Sequence, residues 1–187
     1  MERVQGDGVY RVRYSERAPL GTPYTKVLER VAELTRHREL QGQYYLTVDA
    51  TCLGEPVMEM FRAVKLGTLK GVTAVSITGG EQARQTTSCS AASGSGIGSG
   101  ESWNVPRRDL VSGLQVLLEK GELKIAKGLR EAGVLVRELM AMRTGPGGVS
   151  DGGQHDDLAL AVALACWEVG RRAKRASVGM VGAHRLF

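Results

Sequence analysis

Apolar and basic side chains alternate along Val9-Tyr10-Arg11-Val12-Arg13-Tyr14, the two-residue period of a strand with one covered face. Ahead of it, residues 1–8 read as a strand remnant closed by the turn Gly6-Asp7-Gly8. The period then changes. Tyr24, Val27, Leu28, Val31 and Leu34 recur three and four residues apart, which predicts a helix with a core-facing stripe. Thr22 is the expected cap of that helix and Pro23 its first residue. Tyr44-Tyr45-Leu46-Thr47-Val48 is β-prone and stops at Asp49. A loop with Gly54 and Pro56 leads into a helix over 57–65, and Val72-Thr73-Ala74-Val75-Ser76-Ile77 is a further strand closed by Gly79-Gly80. Strand, helix, strand, helix, strand predicts an α/β sandwich with a partly parallel sheet.

Residues 86–102 are nearly all Ser, Gly, Ala and Thr, too poor in apolar surface to pack, and are expected as a flexible loop. They contain no G-x-G-x-x-G phosphate cradle. Trp103 to Asp109 then introduces a helix whose apolar face is Leu110, Val111, Leu114, Leu117 and Leu118, ended by Gly121. Residues 122–126 read as a short edge-like strand. Residues 129–142 read as a helix with Leu135, Val136 and Leu139 inward, and 144–153 as a Gly-rich loop. The apolar run 158–167 predicts a buried helix that turns basic at Arg171-Arg172-Ala173-Lys174-Arg175, by default a solvated helix end. One domain over 1–175 with a tail over 176–187 follows from this division.

Composition narrows the class. The 187 residues are 42% hydrophobic and 24% charged, the balance of an ordinary globular protein. Aromatics are only 5%, so the core is expected to be Leu, Val and Ala. A formal charge of +5 and a pI near 9.3 lean weakly toward a polyanionic partner. Cys52, Cys89 and Cys166 lack C-x-x-C spacing, which fits neither a disulfide framework nor a zinc site and suits a reducing cytosol. No signal peptide is evident, and the longest apolar run is about half the roughly 20 residues that span a bilayer. A soluble intracellular protein with no membrane partner is expected.

The candidate chemistry gathers at Gln154-His155-Asp156-Asp157-Leu158, at the entry to the predicted buried helix. One Asp there would cap the helix; a second carboxylate suggests a hard cation or a reacting group. Asp49 ends a predicted strand, where α/β folds place ligand groups, although a cap of the next turn explains it as well. Carboxylates from separate elements meeting at one point repel unless they share protons or a divalent cation. An all-oxygen set selects Mg2+ or Mn2+ over zinc, and two such ions can activate water against a phosphodiester.

Val48-Asp49-Ala50-Thr51, Thr78-Gly79-Gly80, Val105-Pro106-Arg107-Arg108-Asp109-Leu110 and His155-Asp156-Asp157-Leu158 occur in that order, with Leu20-Gly21-Thr22-Pro23-Tyr24 and Leu123-Lys124-Ile125 between and before them. Together they resemble the C-terminal nuclease domain of the tailed-phage terminase large subunit, over about residues 9–168. The resemblance implies a ribonuclease H-like mixed sheet flanked by helices. It also implies a metal-dependent endonuclease that cuts concatemeric viral DNA during packaging in the bacterial host cytoplasm. Its partners would be double-stranded DNA, the terminase ATPase motor, the small terminase subunit and the portal. The family's second acidic ligand falls on Asp49 and its C-terminal acidic motif on Asp156 and Asp157, with Asp156 the closer ligand and Asp157 a second ligand or the cap. Arg107 and Arg108 are the implied phosphate contacts, with a solvated helix start as the alternative. His155 would orient a ligand, touch phosphate or be structural.

The departures from that pattern carry their own expectation. The family's first catalytic Asp lies on a central strand before the turn matched here by Gln5-Gly6-Asp7-Gly8, so this chain is expected to lack it, and Asp7 sits in the turn. Cys52 stands where the family usually has Gly, and residues 143–154 are shorter than its usual β-hairpin. A non-catalytic prophage remnant or fragment, at most DNA-binding, is the alternative. Another ribonuclease H-like enzyme, a transposase or junction resolvase, is a third reading.

Overall fold

The computed structural model describes residues 2–3, 8–40, 44–63, 69–86, 101–142 and 156–183, with side chains at all of these except 2–3, 69–70 and 176–183. The predicted loop at 87–100, the segment 143–154, His155 and Cys89 lie outside the described residues. The chain is α/β and divides into two compact units, one built from residues 17–107 and the other from 1–16 and 108–187. Its strands form two mixed sheets, of four and three strands, among the described residues.

In the unit 17–107, α1 (Tyr24–Thr35) buries Leu28 and Ala32. Its start differs from expectation. Thr22 does not cap it: the Thr22 hydroxyl and backbone N–H both donate to the Pro19 carbonyl, at 2.6 and 3.1 Å. Pro23, extended at ψ 143°, is the cap residue, and its carbonyl accepts from Lys26 and Val27. Proline's fixed φ suits that place, and having no N–H it leaves one fewer unsatisfied donor.

The sheet of this unit runs β3-β4-β6-β5. β3 (Tyr44–Asp49), β4 (Leu69–Thr78) and β6 (Glu101–Pro106) are parallel, and β5 (Arg84–Thr86) is antiparallel to β6. Residues 101–106 were expected to be loop and helix entry. They form a strand because β4 and β5 supply partners on both sides, although Ser102, Asn104 and Pro106 give no apolar alternation. β4 carries a bulge opposite β3, since Tyr44 faces Leu69 but Leu46 faces Val72. Gly71 absorbs the extra residue at φ 142°, a conformation that side-chain-bearing residues rarely adopt. That shift sets Asp49 opposite Val75. α2 (Glu55–Ala63) covers one face of the sheet, where Met58, Val72 and Ala74 form a core with Leu46, Val48, Ala50 and Leu53 against it.

The other unit holds β1 (Glu2–Arg3), β2 (Tyr10–Val12) and β7 (Leu123–Ile125) in the order β1-β2-β7, with β2 and β7 parallel. α3 (Arg107–Glu119) buries Leu110, Val111 and Leu114. Gly121, at φ 64°, ends it: Gly121 N–H donates to Leu118 and Glu122 N–H to Leu117, the paired bonds of a left-handed C-cap. α4 (Ala132–Ala141) packs on α5 (Asp157–Ala183). On α4 Leu135 is buried as expected, but Val136 is exposed and Glu138 takes a buried place. α5 is longer than expected, and residues 176–183, predicted as tail, continue it. Among the described residues no helix is long and apolar enough to cross a membrane.

Candidate functional site

The three parallel strands of the 17–107 unit end on one edge of their sheet, at Asp49, Thr78 and Pro106, where α/β folds place their ligand groups. Asp49 is exposed there. Its Oδ1 accepts the Thr51 backbone N–H at 2.9 Å and the Thr51 hydroxyl. The Thr51 oxygen in turn accepts Ile77 N–H at 2.9 Å, and Ala50 N–H donates to the Val75 carbonyl at 2.8 Å. Asp49 therefore does cap the turn after β3, with one oxygen. Its Oδ2 has no hydrogen-bond partner among the described residues. Beside it Gly80 N–H donates to the Thr78 hydroxyl at 3.3 Å, closing the turn after β4.

Arg107 directly follows β6 and is half-buried; Arg108 is exposed, with its Nε 3.7 Å from the Asp109 carboxylate. Two cations in the first turn oppose the helix dipole, with Asp109 as the acidic counterweight there.

In the other unit the start of α5 is built differently from expectation. Asp156 is the residue before the helix, and its carbonyl accepts Leu160 N–H at 2.8 Å. The N–H groups of Leu158 and Ala159, which a capping Asp would serve, both donate to Glu138 Oε2, at 2.9 and 3.0 Å. Glu138 is 5% exposed. With the cap supplied from α4, the carboxylates of Asp156 (half-buried) and Asp157 (exposed) are not needed for those two donors.

Sequence reasoning missed the parts played by Thr51 and Glu138. Thr51 was legible as Asp-x-Thr, the spacing at which an Asp oxygen reaches the N–H two residues on. Glu138 was legible as a charge three residues after Leu135, inside the apolar stripe of α4. The basic run after Trp167 is also not a simple solvated end. Glu168, 2% exposed, holds Arg171 bidentately at 2.9–3.0 Å and Arg172 through its Nε, and the Arg171 guanidinium lies 5.4 Å from the Trp167 ring. Lys174 and Arg175 are exposed.

Within each unit, no group of three or more His, Cys, Asp or Glu side chains that could hold a metal ion occurs among the described residues. No protein-family model matches the chain, and no curated protein and no solved structure matches it.

Proposed function

We propose that this chain is a metal-dependent DNA endonuclease domain with a ribonuclease H-like fold, of the kind found in the tailed-phage terminase large subunit. The observation that carries the proposal is Asp49: an acidic residue at the carboxyl end of a parallel strand, locked by Thr51 through one oxygen and open through the other. Asp156 and Asp157 stand at the start of α5, where Glu138 accepts the N–H groups of Leu158 and Ala159.

In this reading Asp49 is a ligand of Mg2+ or Mn2+, and Asp156 and Asp157 take the acidic roles that the resemblance carries to them. When bound, such an ion supplies Lewis acidity toward a phosphodiester and makes water acidic enough to attack it. Arg107 and Arg108 draw the DNA backbone toward the edge of β6, and His155 contacts phosphate or a ligand carboxylate. The substrate is concatemeric viral DNA in the cytoplasm of a bacterial host, and the partners are the packaging ATPase, the small terminase subunit and the portal.

The test is nicking of supercoiled plasmid by the purified chain with Mn2+, beside the double variant Asp49→Ala, Asp156→Ala. Nicking that needs the metal and vanishes in the variant is the expected result. Nicking at the same rate with EDTA present would sink the metal mechanism. A second reading is a non-catalytic fragment that at most binds DNA. Binding of duplex DNA without nicking by either protein would select it.

A further inference from the structure

The sheet of the unit 17–107 has two edges, and they are built differently. β5, at one edge, is three residues long and carries the exposed Arg84, the short and charged form in which edge strands resist further pairing. β3, at the other, is six residues long, without Pro, Lys or Arg, and its one charge is the terminal Asp49. It pairs with β4 on one side and, among the described residues, with no strand on the other. In a parallel pair, alternate residues of a strand turn both backbone groups to the same neighbour. Ala50 N–H donates to the Val75 carbonyl of β4, so Leu46 and Val48 share its direction, while Thr47 and Asp49 turn N–H and C=O outward. Tyr45, in the same alternate set, is 41% exposed. We infer that this edge is a self-association surface: β3 of a second copy of the chain pairs antiparallel with it and extends the sheet across a two-fold axis at Thr47.

The strand's own residues select that occupant and that register. Only outward-turned residues can exchange hydrogen bonds across the axis, which leaves Tyr45, Thr47 and Asp49 as its centre. Centred on Asp49, two carboxylates would face each other; centred on Tyr45, half of each strand would lie beyond its partner. Centred on Thr47, the strands overlap along nearly their whole length, and Thr47 exchanges both of its bonds with its counterpart. Asp49 then stands opposite Tyr45 of the second copy, so no like charges meet. Leu46 stands opposite Val48 of the second copy, and both side chains lie on the face of the sheet that packs against Met58, Val72 and Ala74. The apolar face of one sheet therefore continues into that of the other. A strand that is complementary to itself in charge and in face is what an isologous two-fold contact requires.

The experiment uses the whole chain. Its mass is followed by sedimentation equilibrium over a concentration series for wild type, Thr47→Pro and Thr47→Lys, each with its thermal unfolding recorded. Proline there gives up only an N–H that β4 does not use, and lysine sets two cations face to face at the axis. The expected result is a wild-type mass that rises from one chain to two with concentration, while both variants fold and stay monomeric. Register is read by oxidative crosslinking in a Cys52→Ser, Cys89→Ser background. Thr47→Cys is expected to give a crosslinked dimer, because its Cα would lie about 5.5 Å from its counterpart, within disulfide reach. Tyr45→Cys, which stands opposite Asp49, is expected to give none. A wild-type chain that stays monomeric throughout, an assembly larger than two, or a dimer undisturbed by a folded Thr47 variant overturns the inference. So does crosslinking of Tyr45→Cys as efficient as that of Thr47→Cys. Neither readout depends on metal or on nicking, so the nuclease reading stands or falls separately.

Discussion

The Glu138 carboxylate on α4 accepts the backbone N–H of Leu158 at 2.9 Å, so the first turn of α5 is capped by a side chain from another helix. The same oxygen takes Ala159 N–H at 3.0 Å. These are charge-assisted bonds at a helix N-terminus in a buried setting, where dipole and hydrogen bonding act together. Glu138→Ala is expected to cost about 2–4 kcal/mol, because it strands two buried donors. Glu138→Gln keeps an acceptor and should cost roughly half as much. Urea unfolding of both variants checks the order, and an Ala variant as stable as wild type would refute it.

Glu168 supports a contrast between buried and exposed ion pairs. Its carboxylate serves both Arg171 and Arg172, whose side chains are 12% and 24% exposed. Removing it leaves two half-buried cations without their anion, and Glu168→Ala is expected to cost about 3 kcal/mol. Glu29→Ala, which breaks an exposed pair with Lys26 on α1, should cost less than about 0.5 kcal/mol. Comparable losses in the two variants would contradict this account.

Gly121 and Gly71 hold backbone conformations that an L side chain strains to adopt. At Gly121 an added Cβ meets nothing closer than the Lys124 ammonium at 3.8 Å, so the cost is conformational rather than steric. Gly121→Ala is expected to lose about 1 kcal/mol, measured by denaturant midpoint. Gly71→Ala should lose at least as much, since it also disturbs the bulge that sets Asp49 opposite Val75.

Burial pushes the Cys166 thiol up to about 12 from an ordinary 9.0. The neutral thiol is the form that folding favours. Above pH 9 the unfolded chain loses this proton while the folded chain keeps it, so stability falls as pH rises toward 12. The slope is at most about 1.4 kcal/mol per pH unit. Urea midpoints at pH 8, 9.5 and 11 should fall more steeply for wild type than for Cys166→Ala. Equal slopes would show that Cys166 is not responsible.

The sequence made β3, β4 and the end of α3 legible for physical reasons. An apolar run bounded by Asp49, another closed by Gly79-Gly80, and a helix stopped at Gly121 are each set by local chemistry. β6 and β5 were illegible because their residues are polar and only pairing with β4 and with each other makes them strands. Thr22 misled because Pro19 offered its hydroxyl a nearer acceptor. Within the candidate site, Asp49 and the Asp156-Asp157 pair could be singled out from their positions at element ends. Their supports leave only a local mark, the Asp-x-Thr spacing and a charge in the stripe of α4; what they act through, Ile77 and Leu158, lies 26 and 20 residues away in the chain.

The division of the chain has a consequence for how it is made. One unit is a single uninterrupted stretch, 17–107, while the other needs residues from both sides of it. Tyr10 finds its partner at Leu123, so the sheet that holds β2 cannot close until β7 has been synthesised. On the ribosome the uninterrupted unit has all its strands first, and the earliest strands must wait through its completion. Slow, long-range pairing of that kind leaves β2 exposed longest.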